Sequence, residues 1–63
     1  MKPDVKDVLL ESAIEVFAEH GYRDAKIVDI VKRAKANIAA VNYHFGSKEQ
    51  LFVAALRLSL IHI

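Results

Sequence analysis

The sequence predicts an all-α fold: three short helices packed on one another, followed by the start of a fourth, connecting helix. Three observations carry that expectation. In the stretch 27–45, IVDIVKRAKANIAAVNYHF, the residues Ile27, Ile30, Val31 and Ala34 recur at i, i+3, i+4 and i+7, the spacing of one helix face. After a polar break at Lys32, Arg33 and Lys35, a second apolar set follows, Ile38, Val41 and Phe45 at i, i+3 and i+7. Helix punctuation separates the runs, with Gly21 and Gly46 as stops and Asn37 and Ser47 as starts. Two helices with so few residues between them must cross sharply, which is the helix-turn-helix arrangement. Its second helix is the kind of element that enters a DNA major groove.

Residues 1–57 make up the expected domain. Met1 to Asp4 read as a loose arm with Pro3 near its end. The first helix is expected over 5–20. Val5, Val8, Leu9, Ala13, Val16 and Phe17 form its apolar stripe, while Asp7, Glu11, Glu15 and Glu19 form a second stripe at strict i, i+4 spacing. Like charges so placed cost a few tenths of a kcal/mol per pair, so the acidic stripe is expected to face water, on the side away from DNA. Gly21 can close the helix in the left-handed conformation without a Cβ penalty. Tyr22 should fold back on the core, and Asp24 can accept from the start of the second helix.

The second helix is expected over 26–34 and the third over 38–43, with Gly46 ending the latter. Ser47-Lys48-Glu49-Gln50 reads as a capping box, Ser47 capping forward and Gln50 reaching back. It opens a fourth helix over 48–57, whose face of Leu51, Phe52, Ala55 and Leu56 is broader than the last helix of a free-standing domain needs. The six residues 58–63, LSLIHI, add apolar and β-branched residues without a polar face, so the helix is not expected to continue through them. A codon spelling of them, ctg tct ctt ata cac atc, matches a common transposase sequencing adapter, which points to read-through on a truncated gene. A natural extension of the fourth helix is the other reading.

At 63 residues the chain is one small domain, which buries only about 60% of its unfolded surface. No cysteine is available for a disulfide or thiolate zinc site, and His20, His44 and His62 have no metal-site spacing, so no metal is expected. The 54% hydrophobic fraction exceeds the usual range of about 45–50%, which suggests apolar surface kept for a partner or a further domain. No apolar core follows the first basic residue, and no run reaches the roughly 18 residues of a membrane span, so a cytoplasmic location and no membrane partner are expected. Residues 1–24 carry three cations against six anions, net −3, whereas residues 25–63 carry six against two, net +4. The basic half holds the two crossed helices, as nucleic-acid binding would require.

Residues 8–56 resemble the DNA-binding domain of the TetR/AcrR family of bacterial transcriptional repressors. The matching pieces are LLESAIEVFAEHGY at 9–22, DI at 29–30 and NIAAVNYHFGSKEQLF at 37–52. The last is the most specific, a helix-turn-helix followed at once by YHF, a small residue, S-K-E and an apolar pair. The resemblance implies a third helix that reads a palindromic operator and a fourth helix leading to a C-terminal domain that dimerises and binds a small-molecule inducer. That C-terminal domain is absent from residues 1–63. Three positions depart from the family pattern. Lys35 stands where glycine is usual in the turn, at a cost of roughly 1 kcal/mol if left-handed. Ala25-Lys26 replace a capping threonine or serine, and Asn42 stands where tyrosine is common.

The candidate base-reading residues are Asn37, Ile38, Ala39, Ala40 and Asn42. Asn37 suits a cap better than a base reader. Ala39 and Ala40 let the backbone approach the groove and touch thymine methyls, and Asn42 can pair adenine in bidentate fashion. Ile38 suits either core or groove, while Val41 and Phe45 are assigned to core. The candidate phosphate contacts are Lys26, Lys35, Tyr43, His44 and Lys48. The tyrosine hydroxyl and imidazole N–H can donate to phosphate while their rings pack on the domain, and Lys48 takes its phosphate role from the resemblance. No Gly-rich phosphate loop, carboxylate pair or nucleophile–base set is visible in the sequence, so neither catalysis nor a cofactor is expected. The rival class is a small helical interaction module without DNA binding. A recombinase arm is a third reading, which lacks the long basic extensions it would need.

Overall fold

A computed structural model of the chain describes residues 4–61, the side chains of residues 60 and 61 excepted. Its helices are α1 (Val5–Asp24), α2 (Ile27–Ala34), α3 (Ile38–His44) and α4 (Lys48–Ile61), and the fold is all-α, as the periodicity implied. Helix α1 is the central strut. It packs extensively on α2 and α4 and more lightly on α3. This triple load widens its buried face: Leu9, Ala13, Val16 and Phe17 are joined inside by Leu10 and Ser12, which a single stripe would leave outside.

Gly21 breaks α1 where a stop was expected, but with φ 78° and ψ 167° it lies in the mirror-extended region rather than the left-handed helical one. That region is essentially open to glycine alone. Residues 22–24 then form one further turn, closed by the Ala25 N–H donating to the Gly21 carbonyl at 3.1 Å. Asp24 is spent on that turn and does not cap α2. The N-cap is Lys26, extended and without a side-chain hydrogen bond.

Helix α2 buries Ile30 and Val31 and ends at Lys35, whose φ 57° and ψ 41° are left-handed. The Ala36 N–H reaches the Val31 carbonyl at 2.9 Å and the Lys35 N–H the Lys32 carbonyl at 3.2 Å. These two bonds form a Schellman closure, built here on lysine instead of glycine. Asn37 caps α3: its Oδ1 accepts from the Ala40 N–H at 3.0 Å. Val41 then pins α3 to the core, with Phe45 packed partly buried beside it.

At the last turn Ser47 Oγ accepts from the Gln50 N–H at 3.2 Å. The return arm of the capping box, from Gln50 back to Ser47, is not made among the described residues. Leu51 and Ala55 are buried and Leu58 packs against the same cluster, spaced i, i+4 and i+7. This continuation of the buried stripe carries α4 to Ile61, past the end expected at residue 57. His62 and Ile63 lie outside the described residues.

Candidate nucleic-acid interface

Helix α3 is held from one side only. Val41 is 1% exposed, yet Ile38 is 49% and Tyr43 85% exposed, with Ala39 and Asn42 also open to solvent. Ile38 therefore belongs to the open face, and not to the core that its spacing also allowed. Ala40 turns inward, half-buried against the cluster. It lines a depression with Val5 and Val8 of α1 and Ala36 of the α2–α3 turn, and is less accessible than Ala39. Asn37 is exposed, but its carboxamide oxygen is engaged in the cap.

The candidate phosphate contacts occupy different settings. Lys26 stands exposed ahead of α2, and Lys35 projects from the left-handed turn. Lys35 borders a shallow depression of about 250 Å³, also lined by Val5, Val8, Ala36, Asn37 and Ala40. Tyr43 does not pack its ring on the domain as expected. At 85% exposure it stands edge to face with its neighbour His44, ring centroids 4.9 Å apart. His44 is half-buried between Tyr43 and Phe45. Lys48, the first residue of α4, places its Nζ 4.7 Å from the Tyr22 ring centroid.

Two relationships have no local sequence signal. Arg33 of α2 donates to both carboxylate oxygens of Glu19 at 3.1 Å and approaches Glu15 at 3.5 Å. The hydrogen bond from Arg33 is the main cause holding the Glu19 carboxyl below its usual value, and the same bond raises Arg33. The acidic stripe is thus not simply solvated, and one cation of the basic half faces α1. The second relationship is the Lys48–Tyr22 contact, between residues far apart in the chain.

The open face of α3 therefore offers a carboxamide, a phenol and small apolar side chains, with ammonium groups on the elements before and after it. Such groups bind base edges and phosphates. Among the described residues no cluster of side chains has the makings of a metal site, and no helix is long and apolar enough to cross a membrane.

A family model described as "Bacterial regulatory proteins, tetR family" matches residues 9–55. The chain belongs to this family. It corresponds to the family's N-terminal DNA-binding domain, and a helical interaction module without DNA binding is not favoured. Among curated relatives, the chain is 39% identical over 51 residues to the HTH-type transcriptional repressor NicS of Pseudomonas putida, covering 81% of this chain and 24% of that protein. It is 41% identical over 49 residues to the transcriptional repressor AcnR of Corynebacterium efficiens, covering 78% of this chain and 26% of that protein. It is 32% identical over 53 residues to IcaR of Staphylococcus aureus, named as a negative transcriptional regulator of a biofilm operon, covering 84% and 28%. The chain thus spans about a quarter of the length of the curated tetR relatives it matches. No solved structure matches it significantly.

Proposed function

We propose that this tetR-family chain is the DNA-reading end of a ligand-responsive transcriptional repressor, with α3 docked in the major groove. The observation that carries the reading is the one-sided anchoring of α3. Val41 fixes it from behind and Asn37 fixes its start, while Ile38, Ala39, Asn42 and Tyr43 stay free in front. Asn42 supplies the base-edge hydrogen bonds and Ala39 the close approach to thymine methyls. Lys26, Lys35, Tyr43, His44 and Lys48 hold the sugar–phosphate backbone.

The whole protein is read as a bacterial cytoplasmic homodimer on a palindromic operator, each subunit filling one half-site. Dimerisation and inducer binding belong to a C-terminal domain beyond α4. The apolar groove of about 200 Å³ between α1 and α4, lined by Ile14, Phe17, Ala18, Phe52, Ala55 and Leu56, supports that continuation, because such a face is costly to leave in water. The relatives' names as transcriptional regulators support a binding role over a catalytic one.

Fluorescence anisotropy with a labelled pool of random duplex DNA tests the reading. Binding should be weak, and log K should fall against log salt with a slope near −3 if about three ammonium groups displace counterions. A chain that stays free at low salt while folded would return the reading to a helical interaction module.

A further inference from the structure

We infer that Tyr22 is a positioning residue for the Lys48–phosphate contact, its ring face holding the ammonium in place before DNA arrives. The inference rests on the DNA-binding reading above and adds a residue that touches no DNA itself. Lys48 Nζ lies 4.7 Å from the Tyr22 centroid, inside the roughly 6 Å over which a ring face attracts a cation. The ring is itself held in an aromatic cluster. Its centroid is 4.7 Å from that of Phe52 and 6.0 Å from that of Phe17, and Phe52 meets Phe17 edge-on at 4.9 Å. Gly21, in its glycine-only conformation, turns the chain so that Tyr22 returns to this cluster.

A lysine in the first turn of a helix is repelled by the positive end of the helix dipole. Left alone it samples many rotamers, and ordering it against a phosphate costs entropy at the moment of binding. The Tyr22 ring face opposes that repulsion and narrows the sampling. An ammonium has three donors, so the side turned from the ring remains free for phosphate oxygens. No carboxylate competes for it: among the described residues the ion pairs are confined to Glu15, Glu19, His20 and Arg33.

The test is a double-mutant cycle read by anisotropy with duplex DNA, using Tyr22→Leu and Lys48→Met alone and combined, each variant checked for helicity. Tyr22→Leu should weaken binding about threefold in the wild-type background and hardly at all in the Lys48→Met background. Tyr22→Phe, which keeps the ring face, should bind like wild type. Equal losses in the two backgrounds would make Tyr22 merely structural and overturn the inference, as would a loss in Tyr22→Phe, which would point to a direct hydroxyl contact. Should Tyr22→Leu not fold, the wild-type chain decides by NMR. The Lys48 ε-methylene protons should resonate upfield of those of the other lysines, with and without duplex, and unshifted protons overturn the inference. A wild-type chain that binds no duplex at low salt overturns the DNA-binding reading and this one together, whereas wild-type binding with equal losses overturns this one alone.

Discussion

Arg33 and Glu19 form a two-pronged ion pair, both guanidinium prongs standing 3.1 Å from a carboxylate oxygen. The pair ties the first helix of the helix-turn-helix to the strut behind it. It also settles two charge questions at once. The row Asp7, Glu11, Glu15 and Glu19 repels itself at i, i+4 spacing, and Arg33 relieves its C-terminal half. Arg33, in turn, is drawn toward α1 instead of being free for phosphate.

Glu19→Gln should therefore lower the melting temperature slightly at neutral pH and low salt. The Glu19 carboxyl is held below its usual value chiefly by the Arg33 hydrogen bond, so its stabilising effect is present above the unfolded-state pKa. That effect is lost as the pH falls through the lowered folded-state value. Melting curves of wild type and variant should thus converge in the acid range below ordinary carboxylate titration, and also in high salt, because the pair is solvent-exposed. A gap that persists unchanged at acid pH would show that the charged pair is not its source.

Lys35→Gly should stabilise the domain. A left-handed lysine at φ 57° is strained where glycine is not, by about 1 kcal/mol. In a domain of this size that corresponds to a rise of roughly 4–8 °C in melting temperature. The lysine side chain is exposed, so the exchange sacrifices no core packing. If Lys35 meets a phosphate, the same variant should also flatten the salt dependence of DNA binding by about one unit of slope. Urea melts and salt-titrated anisotropy separate the two effects.

Asn37→Ala should cost about 1 kcal/mol of folding stability, because the Ala40 N–H loses its acceptor at 3.0 Å. Asn37→Asp keeps an acceptor at the cap and should stay close to wild type in urea. Since the carboxamide oxygen is already engaged, Asn37→Asp should leave base preference unchanged, which a selection from random duplexes would read directly.

Local rules made much of this fold legible. The Asn37 cap, the Gly21 break and the Ser47 start follow from backbone groups within a few residues of one another, and so does the left-handed strain at Lys35. What local rules do not announce needs residues brought together by helix crossing. Arg33 lies 14 residues from Glu19, and no periodicity announces which acidic stripe it will meet. The end of α4 likewise depends on packing. LSLIHI has no polar face, yet Leu58 simply continues the Leu51–Ala55 stripe into the core. In the candidate interface, the YHF-GSKE run marks a segment but not the orientation of each side chain. Ala40 turns inward and the Tyr43 ring turns out because α3 is rotated to bury Val41, with Ala40 and Phe45 packed beside it.

That rotation yields the sharpest functional contrast, between Asn42 and Lys48. Asn42 stands on the free face of α3, and a carboxamide there can bond an adenine edge, worth about 1–3 kcal/mol of discrimination. Lys48 starts another helix with its ammonium 4.7 Å from the Tyr22 ring, and its proposed partner is phosphate, which carries no sequence information. Asn42→Ala should therefore bind a random duplex pool about as well as wild type while relaxing preference at one base pair of the selected site. Lys48→Ala should weaken binding to every duplex alike and reduce the salt slope by about one. Binding isotherms on selected and scrambled duplexes at several salt concentrations compare the two variants directly. The assignment of roles fails if Lys48→Ala changes sequence preference, or if its affinity at low salt equals that of wild type.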